Sequence, residues 1–302
     1  MAALSRTLRA LVRSVRLQAD GPAKAGHYVL VGLLLLAAPL DAQAKRVISI
    51  IPSATEMLFA MGAGDRVIAI GTYDRYPPEA QKLPRVGALI DPNVEQILQM
   101  RPDLVVMYGT QTELKRRLER ANIQAYSYEH KGLADITETI RTLGLRVGAG
   151  AAANALAARL EGQLAGIRAR VSKSQRPKTL LVFGHEPGSL RNIDASGGVG
   201  FLHDILETAG GTDVLGDIHR QAVQMSTEMV LARAPDVIIE LRYSQSDIHD
   251  GDITIWNRLS AVPAVKNHRV VLLAGEEFVV PGPRVVTAAQ RMAAALHPEL
   301  QW

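Results

Sequence analysis

From residue 46 to residue 273 the hydrophobic positions fall into short runs separated by longer stretches with helical spacing. Arg46–Ile51 (RVISII) is rich in β-branched residues and predicts a strand. Pro52-Ser53-Ala54-Thr55-Glu56 follows and predicts a helix start, with Ser53 and Glu56 spaced as a capping box. Val67–Ile70, Leu104–Tyr108 and Ile123–Tyr128 are further strand-like runs, and Val94–Met100 and Glu113–Ala121 are helical stretches between them. A second set begins at Thr179–Phe183 and continues with Val237–Leu241 and Arg269–Leu273. Strands interleaved with helices predict an α/β fold whose sheets are mostly parallel and covered on both faces.

Between the two sets, Ala149–Val171 carries no proline and places Leu156, Leu160, Leu164 and Ile167 on one helical face. Such a helix is long enough to cross between two lobes, and Ser172–Pro177 is a polar stop after it. The expected organisation is a leader over 1–44, an N-terminal lobe over 45–148, a bridging helix over 149–173 and a C-terminal lobe over 174–302.

The two sets echo each other. The stretch from Asn93 to Val106 aligns without a gap on the stretch from Ser226 to Ile239, each with Glu early in a short helix and Pro-Asp before a buried strand. Leu58–Gly64 likewise parallels Leu206–Thr212. Two echoes in the same order point to a duplicated lobe.

Charge and composition narrow the function. Residues 1–44 hold five basic and two acidic groups and so carry most of the chain's formal +4, which leaves the remainder almost neutral and argues against a nucleic-acid partner. Tyr28–Leu40 is uncharged and apolar, too short for the roughly 20 residues of a spanning helix, and Ala42-Gln43-Ala44 after it has the A-x-A form of a signal-peptidase site. A cleaved leader, a mature start near Lys45 and a periplasmic location are therefore expected. Without cysteine the chain has no lipid-modified N-terminal Cys, no disulfide and no thiol nucleophile.

Motifs for catalysis are missing: no G-x-S-x-G elbow, no P-loop, no H-E-x-x-H, and His185-Glu186 runs into Pro187. Gly148–Ala153 fits G-x-G-x-x-A but follows a helical stretch rather than a strand, so the dinucleotide reading fails. The histidines of the mature chain (130, 185, 203, 219, 249, 268 and 297) show no paired spacing for a bare metal ion. No enzymatic activity and no intrinsic cofactor are expected.

Several segments resemble the vitamin B12 and ferric-siderophore substrate-binding proteins of ABC importers. They are Arg46–Glu56, Thr72–Glu79, Pro84–Gly87, Pro102–Val105, Gly197–Leu202, Ala209–Gly211, Ala234–Ile238, the stretch from Trp256 to Val270, and Pro281–Arg284, in family order over the whole mature chain. The resemblance implies two Rossmann-like lobes joined by one rigid helix, with the ligand in the cleft between them. It implies capture of a corrinoid or ferric chelate by a monomer and delivery to a membrane permease. Heme, a bare metal ion and, in another class, an exported α/β enzyme are the alternatives.

In open α/β sheets ligands bind beyond the carboxyl ends of the strands. The loops expected there carry Ser53, Tyr73, Asp74, Arg75 and Tyr76, then Tyr108, then His185, Glu186 and Arg191, then Arg242, Tyr243 and Phe278. The aromatic rings suit the faces of a flat chelate, and the arginines suit a polar rim. In the resembling family a Glu on each lobe pairs with arginines of the permease, and Glu95 and Glu228 match those positions.

Overall fold

Two sheets, one parallel and one mixed, organise the chain. The computed structural model describes residues 43–243 and 253–302. The proposed leader, apart from its last two residues, and His249 lie outside the described residues.

The first sheet contains β1 (Val47–Ser49), β2 (Val67–Ile70), β3 (Leu104–Tyr108) and β4 (Gln124–Tyr128) in the order β2-β1-β3-β4, parallel throughout. Around it run α1 (Pro52–Ala60), α2 (Val94–Gln99), α3 (Thr112–Arg120) and α4 (Leu133–Arg146). The helix α1 starts differently from the capping box read from Ser53 and Glu56. Its N-cap is Ile51, with no side-chain cap, because Pro52 takes the first helical position. Ser53 is thereby buried within the first turn, and Glu56 turns to Arg284 instead.

The second sheet holds β5 (Lys178–Gly184), β6 (Ile193–Gly197), β7 (Thr212–Asp213), β8 (Arg220–Met225), β9 (Val237–Arg242) and β10 (Val270–Ala274). Its order is β10-β9-β5-β6-β8, with β7 beside β5. Strands β10, β9 and β5 are parallel; β6 and β8 are antiparallel additions that the apolar runs did not reveal. The helices α6 (Phe201–Thr208), α7 (Thr227–Arg233), α8 (Pro263–Lys266) and α9 (Val285–Leu296) pack around it.

The bridging helix α5 spans Gly150–Val171, roughly 33 Å at 1.5 Å per residue. Its buried stripe is Ala153, Leu156, Ala157, Leu160, Leu164, Ile167 and Val171. Arg141 of α4 holds Glu161 of α5 through two 2.8 Å hydrogen bonds. One hydrophobic core runs from Val47 and Ile48 of the first lobe through this stripe to Leu181, Ile239 and Met292 of the second. A separate core around Trp256 fills the far side of the second sheet. No helix among the described residues is long and apolar enough to cross a membrane.

The duplicated joints have matching geometry. Asn93 and Ser226 cap α2 and α7 by accepting the N–H groups of Gln96 and Met229. Both helices lead into a left-handed residue, Arg101 at φ 48° and Ala234 at φ 46°. Asp103 then accepts the backbone N–H groups of Lys45 and Arg46 at 2.9 Å, as Asp236 accepts that of Lys178 at 3.0 Å. The Pro-Asp of each repeat therefore ties its strand to the start of the lobe's first strand. Gly62 at φ 78° and Gly210 at φ 84° end α1 and α6 in the same way.

Candidate functional site

The carboxyl ends of β3 and β4 face the second lobe across a cavity of about 770 Å³. That lies within the ~300–1,000 Å³ of pockets for small organic ligands. The first lobe contributes Tyr108, the last residue of β3, with Gly109, and Tyr128, the last residue of β4, with Glu129 to Lys131. The second contributes Phe183 from β5, the turn Val199–Leu202 into α6, Gln221 and Ala222 of β8, and Val279 with Pro281. The antiparallel pair β6 and β8 thus builds part of the wall.

Aromatics make up only 4% of the chain, yet two of its four phenylalanines and two tyrosines line this cavity. Tyr108 meets Tyr128 edge to face at 5.6 Å, Tyr128 stacks parallel to His130 at 6.3 Å, and His130 meets Phe201 edge to face at 5.2 Å. A continuous row of rings therefore crosses from one lobe to the other. Burial pushes the Tyr128 hydroxyl well above its ordinary pKa against the opposing effect of the nearby Ser53 hydroxyl. Burial, with the Asp74 carboxyl second, also raises Tyr108. Burial lowers the pKa of His130, with Asp135 and Asp204 opposing, which favours the neutral ring. Both His130 ring nitrogens are out of contact with water and have no hydrogen-bond partner.

Of the residues expected in the cleft from sequence, Tyr108 lines this cavity directly. Ser53 lies buried behind it, beside Tyr128. The loop with Asp74, Arg75 and Tyr76 forms a contact between the lobes. Arg75 stacks over Tyr243 at 5.2 Å and approaches Glu276 at 4.0 Å. Arg284 stacks over Tyr76 at 4.4 Å and grips Glu56 through bonds of 3.0 and 2.5 Å. Tyr73 stays exposed. Another tie between the lobes is Asp204 of α6, which accepts the Leu133 N–H at the start of α4 at 2.8 Å.

Asp74 is fully buried, and no well-aligned hydrogen bond reaches either of its oxygens. Burial pushes its pKa up to about 7, with Thr55, the Gly71 backbone and Arg85 opposing and Glu56 reinforcing.

Five further expected site residues lie away from this cavity. Phe278 is wholly buried in the main core under Arg291 and offers no face to the cleft. His185 is sequestered: its Nε2 bonds Glu240 at 2.9 Å and its Nδ1 the Glu186 carbonyl at 2.9 Å. Arg242 donates to the same Glu240 at 2.7 Å, and so does Trp256 at 2.6 Å. Glu186 closes its own loop by accepting from Ser189 and Asn192. Arg191 is exposed. Glu95 and Glu228 are exposed in the first turns of α2 and α7, and hydrogen bonding from Ser226 holds Glu228 below its usual range.

The segments that sequence reasoning missed are Glu129–Lys131, Phe183 and Val199–Leu202. His130 and Phe201 each sit just past an element boundary, and that position was the available signal. Among the described residues no group of three or more His, Asp and Glu is gathered as for a metal ion.

Comparison with known proteins places this architecture. The profile of the periplasmic binding protein family matches residues 47–276. A vitamin B12-binding protein of Yersinia pestis is 29% identical over 271 residues, covering 89% of this chain and 91% of that protein. Among solved structures, the periplasmic vitamin B12 binding protein BtuF of Vibrio cholerae superposes with a TM-score of 0.72 at 26% identity, covering 85% of this chain and 99% of that one. The periplasmic heme binding protein HutB of Vibrio cholerae superposes with a TM-score of 0.74 at 20% identity, covering 84% and 99%, a likeness of fold alone.

Proposed function

The chain belongs to the periplasmic binding protein family, substrate-binding components of ABC importers, and from that premise we propose that it captures a metal chelate of the corrinoid or ferric-siderophore class. The observation that carries this reading is the row of rings across a cavity shared by both lobes. Ring faces pack well on a macrocycle, while exposed Glu129, Lys131 and Gln221 at the same cavity suit amide and carboxylate groups on its edge. A chelate arrives with its metal already ligated, so the protein need not supply a full donor set. The relatives named for vitamin B12 favour a corrinoid within this class.

Heme is the second reading, favoured by the His130 imidazole in the cavity wall. The test is retention: purified protein is mixed with cobalamin, hemin or a ferric siderophore, passed over a desalting column and scanned. A corrinoid spectrum co-eluting with the protein is expected. Elution free of all three chromophores would contradict the reading.

Delivery to the permease is proposed to use Glu95 and Glu228, repeat-related carboxylates on exposed helix starts. Reversing both, Glu95→Arg with Glu228→Arg, should leave folding and chelate retention intact and abolish uptake in cells, because like charges would then meet a basic surface. Normal uptake by the double variant would refute this role. The leader is proposed to be cut before Lys45 without lipid attachment, releasing a periplasmic monomer. The cut would leave the Lys45 α-ammonium against Asp103, whose carboxylate already lies 2.9 Å from that nitrogen, at the expense of the Ala44 bond to the Arg146 carbonyl.

A further inference from the structure

An imidazole buried without a hydrogen-bond partner needs an explanation, since a desolvated polar group left unpaired costs roughly 1–3 kcal/mol. His130 is such a group: neither ring nitrogen is bonded, and the residue forms part of the wall of the cavity between the lobes. Tyr128 lies parallel to the ring and Phe201 meets it edge-on, so its two neighbours hold the imidazole by apolar contact and leave its lone pair uncommitted. The other buried histidines differ. His185 is bonded through both nitrogens, and His297, whose Nε2 is also unpaired, meets Glu299 through Nδ1 and takes no part in the wall of this cavity.

We infer that His130 is an axial ligand to the metal of the bound chelate, so that the site selects planar chelates whose metal carries an exchangeable ligand. This rests on the chelate reading above. In the binding step one imidazole nitrogen donates its lone pair to the metal as a metal-bound water leaves; no proton is released and no electron is transferred. The tyrosines of the same wall are poorer candidates, because a phenol must shed its proton to bind a metal well, whereas a neutral imidazole need not. Because the two nitrogens are shielded before binding, the ring must turn about its side-chain bonds as the chelate enters between Tyr128 and Phe201. A chelate with the position firmly filled would bind by ring contact alone.

The experiment reads the metal's own absorption. Wild-type protein and His130→Gln are each mixed with aquocobalamin or ferric hemin, desalted and scanned; cyanocobalamin, whose cyanide fills the position, is added to wild type as a control. Free imidazole added to each chelate gives the reference bands for nitrogen ligation. Aquocobalamin bands moved to that reference in wild type and left at the aquo position in His130→Gln support ligation with a corrinoid as ligand. The same contrast with hemin supports it with heme as ligand. Chelate retained with identical bands in both proteins, or wild-type bands that never leave the aquo position, overturns the ligand role while the transport reading stands. Should wild type retain no chelate, both readings fall together. Thermal melts establish whether His130→Gln is folded; if it is not, the wild-type band position decides alone.

Discussion

Asp74 in the first lobe and Glu240 in the second are both wholly buried carboxyl groups, yet the chain surrounds them in opposite ways. Glu240, in the middle of β9, receives hydrogen bonds from His185, Arg242 and Trp256, so its charge is shared among donors drawn from three segments. Asp74, in a loop after β2, receives no well-aligned bond. The difference shows that burial alone does not set the behaviour of an ionisable group. Donors from the loop after β5, from β9 itself and from the segment around Trp256 make one carboxyl group a fixed joint, whereas the other, without aligned donors, has its pKa raised by burial.

The largest effect is expected at the well-partnered site. Glu240→Gln keeps the volume but strands the Arg242 guanidinium, and breaking a buried pair in this way costs about 3–5 kcal/mol. A fall in melting temperature on the order of 10 °C should follow for a chain of this size. A variant that melts with wild type would show that the cluster is not the joint described.

At Asp74 the expected effect is a change of pH dependence. The folded state holds its proton up to about pH 7, whereas the unfolded chain releases it near 3.8. The folded state therefore binds more protons between these values, and this group's contribution to stability falls as pH rises from about 4 to about 7. The slope is at most about 1.4 kcal/mol per pH unit. Asp74→Asn should flatten that part of the stability curve and make the protein more stable than wild type near pH 8. Denaturant titrations at several pH values measure both; parallel curves for the two proteins would contradict the assignment.

The smallest effects test the repeat. Asp103 accepts two backbone N–H groups and Asp236 one, both at the edge of solvent. Replacing each by Ala should cost about 1–2 kcal/mol at Asp103 and roughly half that at Asp236. A reversed order would show that the number of backbone hydrogen bonds does not set the strength of each joint.

Much of this architecture is readable in the residues because it rests on local chemistry. The bridging helix shows in its leucine spacing, and the duplicated joints show in Pro-Asp, since each Asp serves a strand start that the repeat places beside it. The hairpin of β6 and β8 is hidden because β8 (RQAVQM) is an exposed, polar edge strand with no apolar run. Cleft residues were harder to foresee than strands, because which loop side chain turns inward depends on packing at long range. Phe278 follows β10 as a cleft aromatic should, but the turn at Gly275–Phe278 directs it into the core and leaves Val279 at the cavity. His185 and Arg242 were drawn away by Glu240, and the signal was present in VIIEL: a charge within a buried strand requires partners nearby. His130, weighed only as a ligand for a bare metal ion, and Phe201, quoted only within the Gly197–Leu202 motif, were not placed in the cleft because each lies outside the periodic runs, one past β4 and one at the first residue of α6.

The account depends on one cavity being the ligand site and on both lobes contributing to it. Calorimetric titration with the retained chelate, performed on Tyr108→Ala for the first lobe's wall and Phe201→Ala for the second, tests this directly. Each variant should melt cooperatively and bind at least about tenfold more weakly than wild type, a loss of about 1.4 kcal/mol or more. Affinity unchanged in both variants would place the ligand elsewhere and contradict the account.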